Sequence, residues 1–297
     1  MMSTKLITHA DLDGAGCAVM VKKFLDPDAD ITYLDYDRID EEVRRFIKDP
    51  THKHLILSDI SPTFDVFEEL GAARGAGAFT CLLVDHHKSR SWLGAVPAGW
   101  IAFDMTVSAT ELMAKVGIAS PEYTKLAQVV TAYDLWQKQS PLRVESESLN
   151  DLFFFLGRDE FLSMACDDPQ FYKTARFHYI SDALAAQRER TVVGVVKKQL
   201  GDDPHVYTSR EGHNTYLMVV ASRFTSEIGN RILTDYPHIG FAAIVNAQFN
   251  KVELRARVGE VDVSKIAAAR GGGGHQAASG FPFPFANLLS AAADGIL

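Results

Sequence analysis

A chain of 297 residues, 47% of them hydrophobic, can bury a sizeable core, and its length favours about two domains. Its formal net charge of −8 has the wrong sign for a protein that holds long duplex DNA by neutralising phosphates. The opening MMSTKLITHADLDG reaches acids before an export signal could form, and no run nears the roughly 18 apolar residues of a membrane span.

Through residue 140, short apolar runs alternate with helix-like stretches: KLIT before GAGCAVMVKKFL, ITYLDY before DEEVRRFIK, HLILSDI before FDVFEELGAA, then FTCLLVD, and GWIAFD before SATELMAKVG. This alternation predicts βαβ units, hence an α/β fold with a doubly wound parallel sheet whose ligands bind beyond the carboxyl ends of the strands. Residues 121–200 read as mostly helical and end in SDALAAQRERTVVGVVKKQL, where Ile180, Leu184, Val192, Val193 and Val196 recur at helical spacing. That stretch is the expected helical linker. GDDPH stops it, and a smaller α+β unit follows: HVYTS, YLMVVAS, a helix over SEIGNRIL, IGFAAIVNA, KVELRARV, a helix over VSKIAAA and a glycine run. The expected divisions are 1–180, 181–204 and 205–297.

Acids and histidines gather where predicted strands end. His9, Asp11 and Asp13 in HADLDG share one parity and project to one side if the extended conformation persists. Asp59 ends ILSD, Asp85, His86 and His87 end LLVDHH, and Asp134 follows the helix LAQVVTAY. A lone carboxylate at a strand end is ordinarily a helix cap, but three ligand-type side chains leaving one face repel each other or are desolvated without a cation. Oxygen and imidazole donors suit Mn²⁺, Mg²⁺, Fe²⁺ or Co²⁺, and there are enough carboxylates for two ions, a set that favours hydrolysis of a phosphate ester through a bridging water. Cys17, Cys81 and Cys166 lack C-x-x-C spacing, so neither a disulfide framework nor a thiolate zinc site is expected, and the compartment they suit is a reducing cytoplasm.

The segment RGGGGHQAASGF, 270–281, is either a helix stop with a flexible loop or a place where backbone amides approach an anion, with His275 as a further donor. Arg255 and Arg257 are expected on one face of their strand, and either could grip a terminal phosphate. Phe153, Phe154 and Phe155 read as core and stay outside the expected site.

In order and type, these motifs resemble the DHH/DHHA1 phosphoesterases: HADLDG the first motif, Asp59 the second, Asp85-His86-His87 the third, Asp134 the fourth, and the glycine run the DHHA1 signature, with SATEL at 108–112 a further match. The resemblance implies a DHH domain and a DHHA1 domain with the active site in the cleft between them. It implies that His9, Asp11 and Asp59 hold one metal and Asp13, Asp59, His86 and Asp134 the other, with Asp59 as the bridge. Asp85 is implied as a ligand or a neighbour of the cluster, and His87 as facing the scissile phosphate or the leaving oxygen, so that His87, Asp85 and Asp59 are the catalytic set. Arg255, Gly272, Gly273, Gly274 and His275 are implied as substrate contacts, although Glu253 stands where many members have a serine.

YDLW and SEIGNRIL look most like the oligoribonuclease B type of nano-RNase. What the resemblance implies is a cytoplasmic phosphodiesterase, a 3′–5′ exoribonuclease using two Mn²⁺, with Mg²⁺ or Co²⁺ as substitutes. It would cleave short single-stranded RNA, from linear dinucleotides such as pGpG to about pentamers, to nucleoside 5′-monophosphates, with neither long duplex DNA nor a membrane as partner and a homodimer compatible. The alternatives are a 3′-phosphoadenosine 5′-phosphate phosphatase, a cyclic dinucleotide phosphodiesterase, and a nucleotide sensor without turnover.

Overall fold

The structure is a computed structural model; it describes residues 3–97, 99–209 and 214–284. The chain divides into two compact units, one ending at Ala185 and the other starting at Ala186.

The first unit opens with strand β1 (Thr4–His9) and helix α1 (Leu12–Phe24), then β2 (Asp30–Leu34), α2 (Ile39–Lys48), β3 (His54–Ser58), α3 (Phe64–Gly75), β4 (Thr80–Asp85), a 3₁₀ segment over Lys88–Ala95, and β5 (Ile101–Phe103). All neighbouring strands run parallel, in the order β2-β1-β3-β4-β5. The doubly wound sheet expected from the alternating runs is therefore present. Helices α4 (Ala109–Lys115), α5 (Pro121–Asp134), α6 (Arg143–Leu156), α7 (Arg158–Asp167) and α8 (Ala175–Gln199) follow. Successive strand residues feed opposite faces. Leu6 joins Ile56, Val84 and residues of α1, α4, α5 and α6 in one core, while Ile7 joins Leu55, Leu57, Leu83 and residues of α2 and α3 in the other. Burial on both faces explains why these strands read as continuous apolar runs.

The strand order reverses direction between β1 and β3, and ligands of such sheets sit outside the carboxyl ends at that switch point. Register there is tight: Thr8 pairs with Ser58, Ser58 with Val84, and the Asp59 amide donates to the Val84 carbonyl at 2.9 Å.

The division between the units falls inside α8. In the second unit Val192 and Val196 of that helix enter a core with Leu217, Ile228 and Ile244. Its elements are β6 (Tyr207–Thr208), β7 (Thr215–Val220), α9 (Thr225–Asp235), β8 (Phe241–Asn246), β9 (Lys251–Ala256), α10 (Val263–Ala268), β10 (Gly273–Gly274) and β11 (Ala278–Pro282). They form a mixed sheet, β10-β11-β9-β8-β7-β6, in which only β7 and β8 pair in parallel among the described residues. No helix among the described residues is long and apolar enough to cross a membrane.

Candidate metal centre

The strand-to-helix transition after β1 sets the first three side chains. β1 ends at His9, Asp11 caps α1 by accepting the Gly14 amide at 3.1 Å, and Asp13 already lies in the first helical turn. The extended conformation does not persist past Asp11, because the cap turns the chain into a helix. His9 and Asp11 consequently reach one group and Asp13 another, which corrects the single face expected from parity. The turn needs glycine at 14, since a Cβ there would fall 2.0 Å from the His9 carbonyl oxygen.

Two sets of donor atoms result. In the first, His9 Nδ1 lies 2.7 Å from Asp11 Oδ2 and 3.7 Å from Asp59 Oδ2. In the second, His86 Nε2 lies 3.5 Å from Asp13 Oδ2, 3.5 Å from Asp134 Oδ2 and 3.0 Å from Asp59 Oδ1. Asp59 presents one oxygen to each set. It follows β3 with φ of 58°, a left-handed conformation that aspartate tolerates better than most residues and that occurs disproportionately at functional sites.

Asp13 accepts the Ala109 and Thr110 amides at 2.7 and 2.9 Å, and the Thr110 hydroxyl donates to the Asp13 carbonyl. SATEL therefore has a physical role: the amino end of α4 holds one carboxylate of the cluster, as helix amino termini hold anions. Cys17 lies against Thr110, and burial together with Asp13 and Asp59 pushes its thiol well up, away from the thiolate a metal would need.

Four carboxylates this close cannot all remain ionised without compensation. Burial, then the charges of Asp11 and Asp13, pushes Asp59 well above the ordinary carboxylate range. Burial likewise pushes Asp134 up to about 7, against the pull of His86. Burial opposes charge on His9 and His86 too, yet Asp11 beside His9 and Asp134 beside His86 raise both well above ordinary imidazole. Asp11, despite burial, is held far below the carboxylate range by His9. Protons here do what a divalent cation would do. Asp59 Oδ2 and Asp134 Oδ2 are buried without a hydrogen-bond partner among the described residues, and the donors are carboxylates and imidazoles, so the site fits hard or borderline divalent ions.

Asp85 plays a different part from its neighbours. Its Oδ1 accepts the His86 and His87 amides at 2.7 and 3.1 Å and His87 Nδ1 at 2.8 Å, while Oδ2 accepts the Ser61 hydroxyl. Burial opposes its charge, but His87 holds it well below the usual range. With an ionised acceptor at Nδ1, His87 carries its proton there and leaves Nε2 to accept the Tyr36 hydroxyl at 2.6 Å. Burial and the charge of His86 lower His87 and keep the ring neutral.

Tyr36 and Asp35, whose Oδ1 is 3.3 Å from His9 Nε2, were not expected in the site. The signal was available: Asp35 and Tyr36 directly follow β2 at the carboxyl edge where the other motifs fall.

In the second unit, Arg255 on β9 donates to the Ser226 hydroxyl at 2.7 Å and to Glu253 Oε2 at 3.2 Å. Burial opposes the Glu253 charge, but Arg255 and Lys251, with hydrogen bonds from Thr225 and Asn246, hold it below the ordinary range. Arg257 lies past the end of β9 and donates to the Leu233 and Ile239 carbonyls and to Glu260, a structural clamp on the end of α9. Part of the glycine run forms a strand rather than a loop. Gly273 and Gly274 pair with β11, and a Cβ on Gly272 would fall 2.0 Å from the Gly280 carbonyl oxygen, so close hairpin packing already demands glycine. His275 follows, its amide donating to the Ala278 carbonyl at 2.7 Å.

No family model matches the chain. The chain is 27% identical over 290 residues to oligoribonuclease NrnB of Bacillus subtilis (strain 168), an alignment covering 93% of this chain and 71% of that protein. Among solved structures, an exopolyphosphatase-related protein from Bacteroides fragilis matches with a TM-score of 0.50 and 16% identity, covering 95% of this chain and 87% of its own, which shows a shared fold. A pGpG-specific phosphodiesterase, PggH from Vibrio cholerae, matches with a TM-score of 0.49 and 14% identity over 98% and 97% of the two chains. The relation to NrnB bears out the resemblance read from the ordered motifs: the chain is similar to the DHH/DHHA1 phosphoesterases, and among them to the oligoribonuclease B type.

Proposed function

We propose that the protein is a Mn²⁺-dependent phosphodiesterase that hydrolyses short oligoribonucleotides, from linear dinucleotides to about pentamers, releasing nucleoside 5′-monophosphates. The observation that carries this reading is Asp59, which offers one carboxylate oxygen to each of two donor sets at the switch point of the sheet. His9, Asp11 and Asp59 would hold one ion, and Asp13, Asp59, His86 and Asp134 the other. When bound, such ions would supply an activated water and neutralise charge developing on the phosphoryl oxygens. The similarity to an oligoribonuclease supports the substrate class.

The chain's own groups then have separable roles. Asp85 fixes the tautomer of His87, as carboxylates paired with catalytic histidines do, and leaves Nε2 as the proton-accepting atom beside the cluster. Tyr36 occupies that atom, so substrate engages His87 by exchanging for the Tyr36 hydroxyl. Arg255, Gly272, Gly273, Gly274 and His275 are the proposed substrate contacts of the second unit. A cytoplasmic location follows from the cysteine usage and belongs to the same proposal.

The test is a comparison of initial rates in Mn²⁺ on a labelled RNA dinucleotide, a pentamer, a long single strand, cyclic dinucleotides and 3′-phosphoadenosine 5′-phosphate. Fast turnover of the dinucleotide and pentamer with the long strand nearly intact is expected. Turnover confined to the phosphoadenosine or to a cyclic dinucleotide would overturn the substrate class and keep the metal chemistry.

A further inference from the structure

One residue from the candidate ligands, a hollow of about 380 Å³ opens in the first unit. Its walls include Ala10, which lies between His9 and Asp11, Tyr33 of β2, Phe153 and Phe154 from the end of α6, and Arg158 and Asp159 from the start of α7. Tyr33 pairs in register with Thr8, so the hollow flanks the carboxyl edge of β1 and β2. We propose that it is a nucleobase-binding subsite, in which Phe154, Tyr33 and Arg158 receive the base attached to the phosphate held at the metal centre.

The argument starts from an anomaly in the triple phenylalanine. Only Phe153 is core; Phe154, edge-on to the Phe153 ring at 5.1 Å between centroids, is 65% exposed in the last turn of the helix. An exposed ring on the wall of a hollow suits stacking, the contact proteins use for unpaired bases because every base has a π-face. Arg158 has its guanidinium 5.1 Å from the centre of the Tyr33 ring, which presents a second flat, cationic surface.

The charges select a base over a phosphate. Arg158 alone would suit either, but Asp159 stands next to it and the acidic cluster begins at His9. A carboxylate repels phosphate and accepts from the ring N–H or exocyclic amine of a base. The volume lies at the lower end of the roughly 300–1,000 Å³ typical of small-ligand sites, enough for one base with its sugar and too little for a folded RNA.

The inference rests on the nucleotide reading of the metal centre, and the test separates the two. Calorimetry in Mn²⁺ buffer compares a nucleoside 5′-monophosphate with ribose 5-phosphate on the wild-type chain and on Phe154→Ala and Arg158→Ala, two exposed positions whose truncation leaves the cores intact. Initial rates are taken in parallel on an RNA dinucleotide and on its abasic analogue. The wild type should favour the nucleotide by about 5- to 100-fold, the range of base–aromatic stacking, and Phe154→Ala should lose most of that preference while cleaving the abasic analogue at the wild-type rate. Equal binding of the two ligands by the wild type, or an undiminished preference in both variants, overturns the subsite. A wild type that cleaves no short RNA, but still loses nucleotide preference in Phe154→Ala, keeps the subsite and overturns the proposed reaction.

Discussion

Tyr36 donates its hydroxyl to His87 Nε2 across 2.6 Å, closing a chain of hydrogen bonds that runs through Asp85 to Ser61. The donor favours neutral imidazole, because protonation of Nε2 would break the bond. Tyr36→Phe should therefore raise the His87 pKa and move the acid limb of kcat/KM against pH upward. Because substrate takes the place of the Tyr36 hydroxyl at Nε2, kcat should change little and the effect should appear in kcat/KM, which reports the free enzyme. A pH–rate profile on an RNA dinucleotide checks this, and an unmoved acid limb would show that the tyrosine does not govern the histidine.

Asp59→Asn keeps a side chain that tolerates the left-handed backbone at this position while removing the charge shared by both donor sets. Because burial and the Asp11 and Asp13 charges already resist ionisation there, the metal-free variant should melt at a higher temperature than the wild type. The stabilisation that Mn²⁺ gives the wild type should shrink, and activity should drop more than about 100-fold. Thermal melts with and without Mn²⁺ read both effects. A variant that keeps full Mn²⁺ stabilisation and most activity would rule out Asp59 as the bridge.

The metal-free protein should lose stability as pH rises from about 4 to about 7. Asp134 is pushed up to about 7 by burial, well above the 3.8 of an ordinary aspartate. A group whose folded pKa is raised contributes stability that is fully present below its unfolded pKa and is lost as pH rises through the folded value. His9 and His86, also raised, contribute with the same sign. In chelator, the melting temperature should fall between about pH 4 and pH 7, and Asp134→Asn should flatten that slope. Added Mn²⁺ should reverse it, since metal binding displaces these protons. A slope that is the same in wild type and Asp134→Asn would remove Asp134 from the cluster.

The sheet was legible because its central strands β1, β3 and β4 are buried on both faces and write apolar runs, and the ligand-type residues were legible because they interrupt those runs at one edge. The second sheet was legible in part: β11 is short and follows a glycine run, so ASGFP gave no strand pattern of its own. What stayed hidden was the partner of each group. Asp11 as a cap and Asp13 on the amides of α4 depend on where the helix begins, which parity along a strand cannot give. Asp85 and Asp59 look alike as acids ending apolar strands, yet one is enclosed by N–H and O–H donors and the other faces histidines. Phe154 read as core from its neighbours, but it lies about 100° round α6 from the buried Phe153 and is exposed.

Glu253 and Arg255 bear on how the second unit meets an anion. They alternate with Leu254 on β9 and share a face, and Glu253 Oε2 takes both the Arg255 guanidinium and the Thr225 hydroxyl. In the proposed function Arg255 contacts substrate, so the acid beside it reduces the charge offered to a phosphate. Glu253→Ser should free the guanidinium and lower KM for a 5′-phosphorylated RNA dinucleotide several-fold relative to the same dinucleotide with a 5′-hydroxyl, with kcat nearly constant. Arg255→Ala should do the reverse, raising KM for the phosphorylated substrate alone. Stability supplies a second sign. Glu253 is held below its ordinary range, so its contribution is present above the unfolded pKa near 4.5 and is lost as pH falls through the folded value. Glu253→Ser should therefore weaken the acid-side dependence of the melt. If KM for the phosphorylated dinucleotide is the same in wild type, Glu253→Ser and Arg255→Ala, the pair is a structural ion pair, and Arg255 does not contact the substrate.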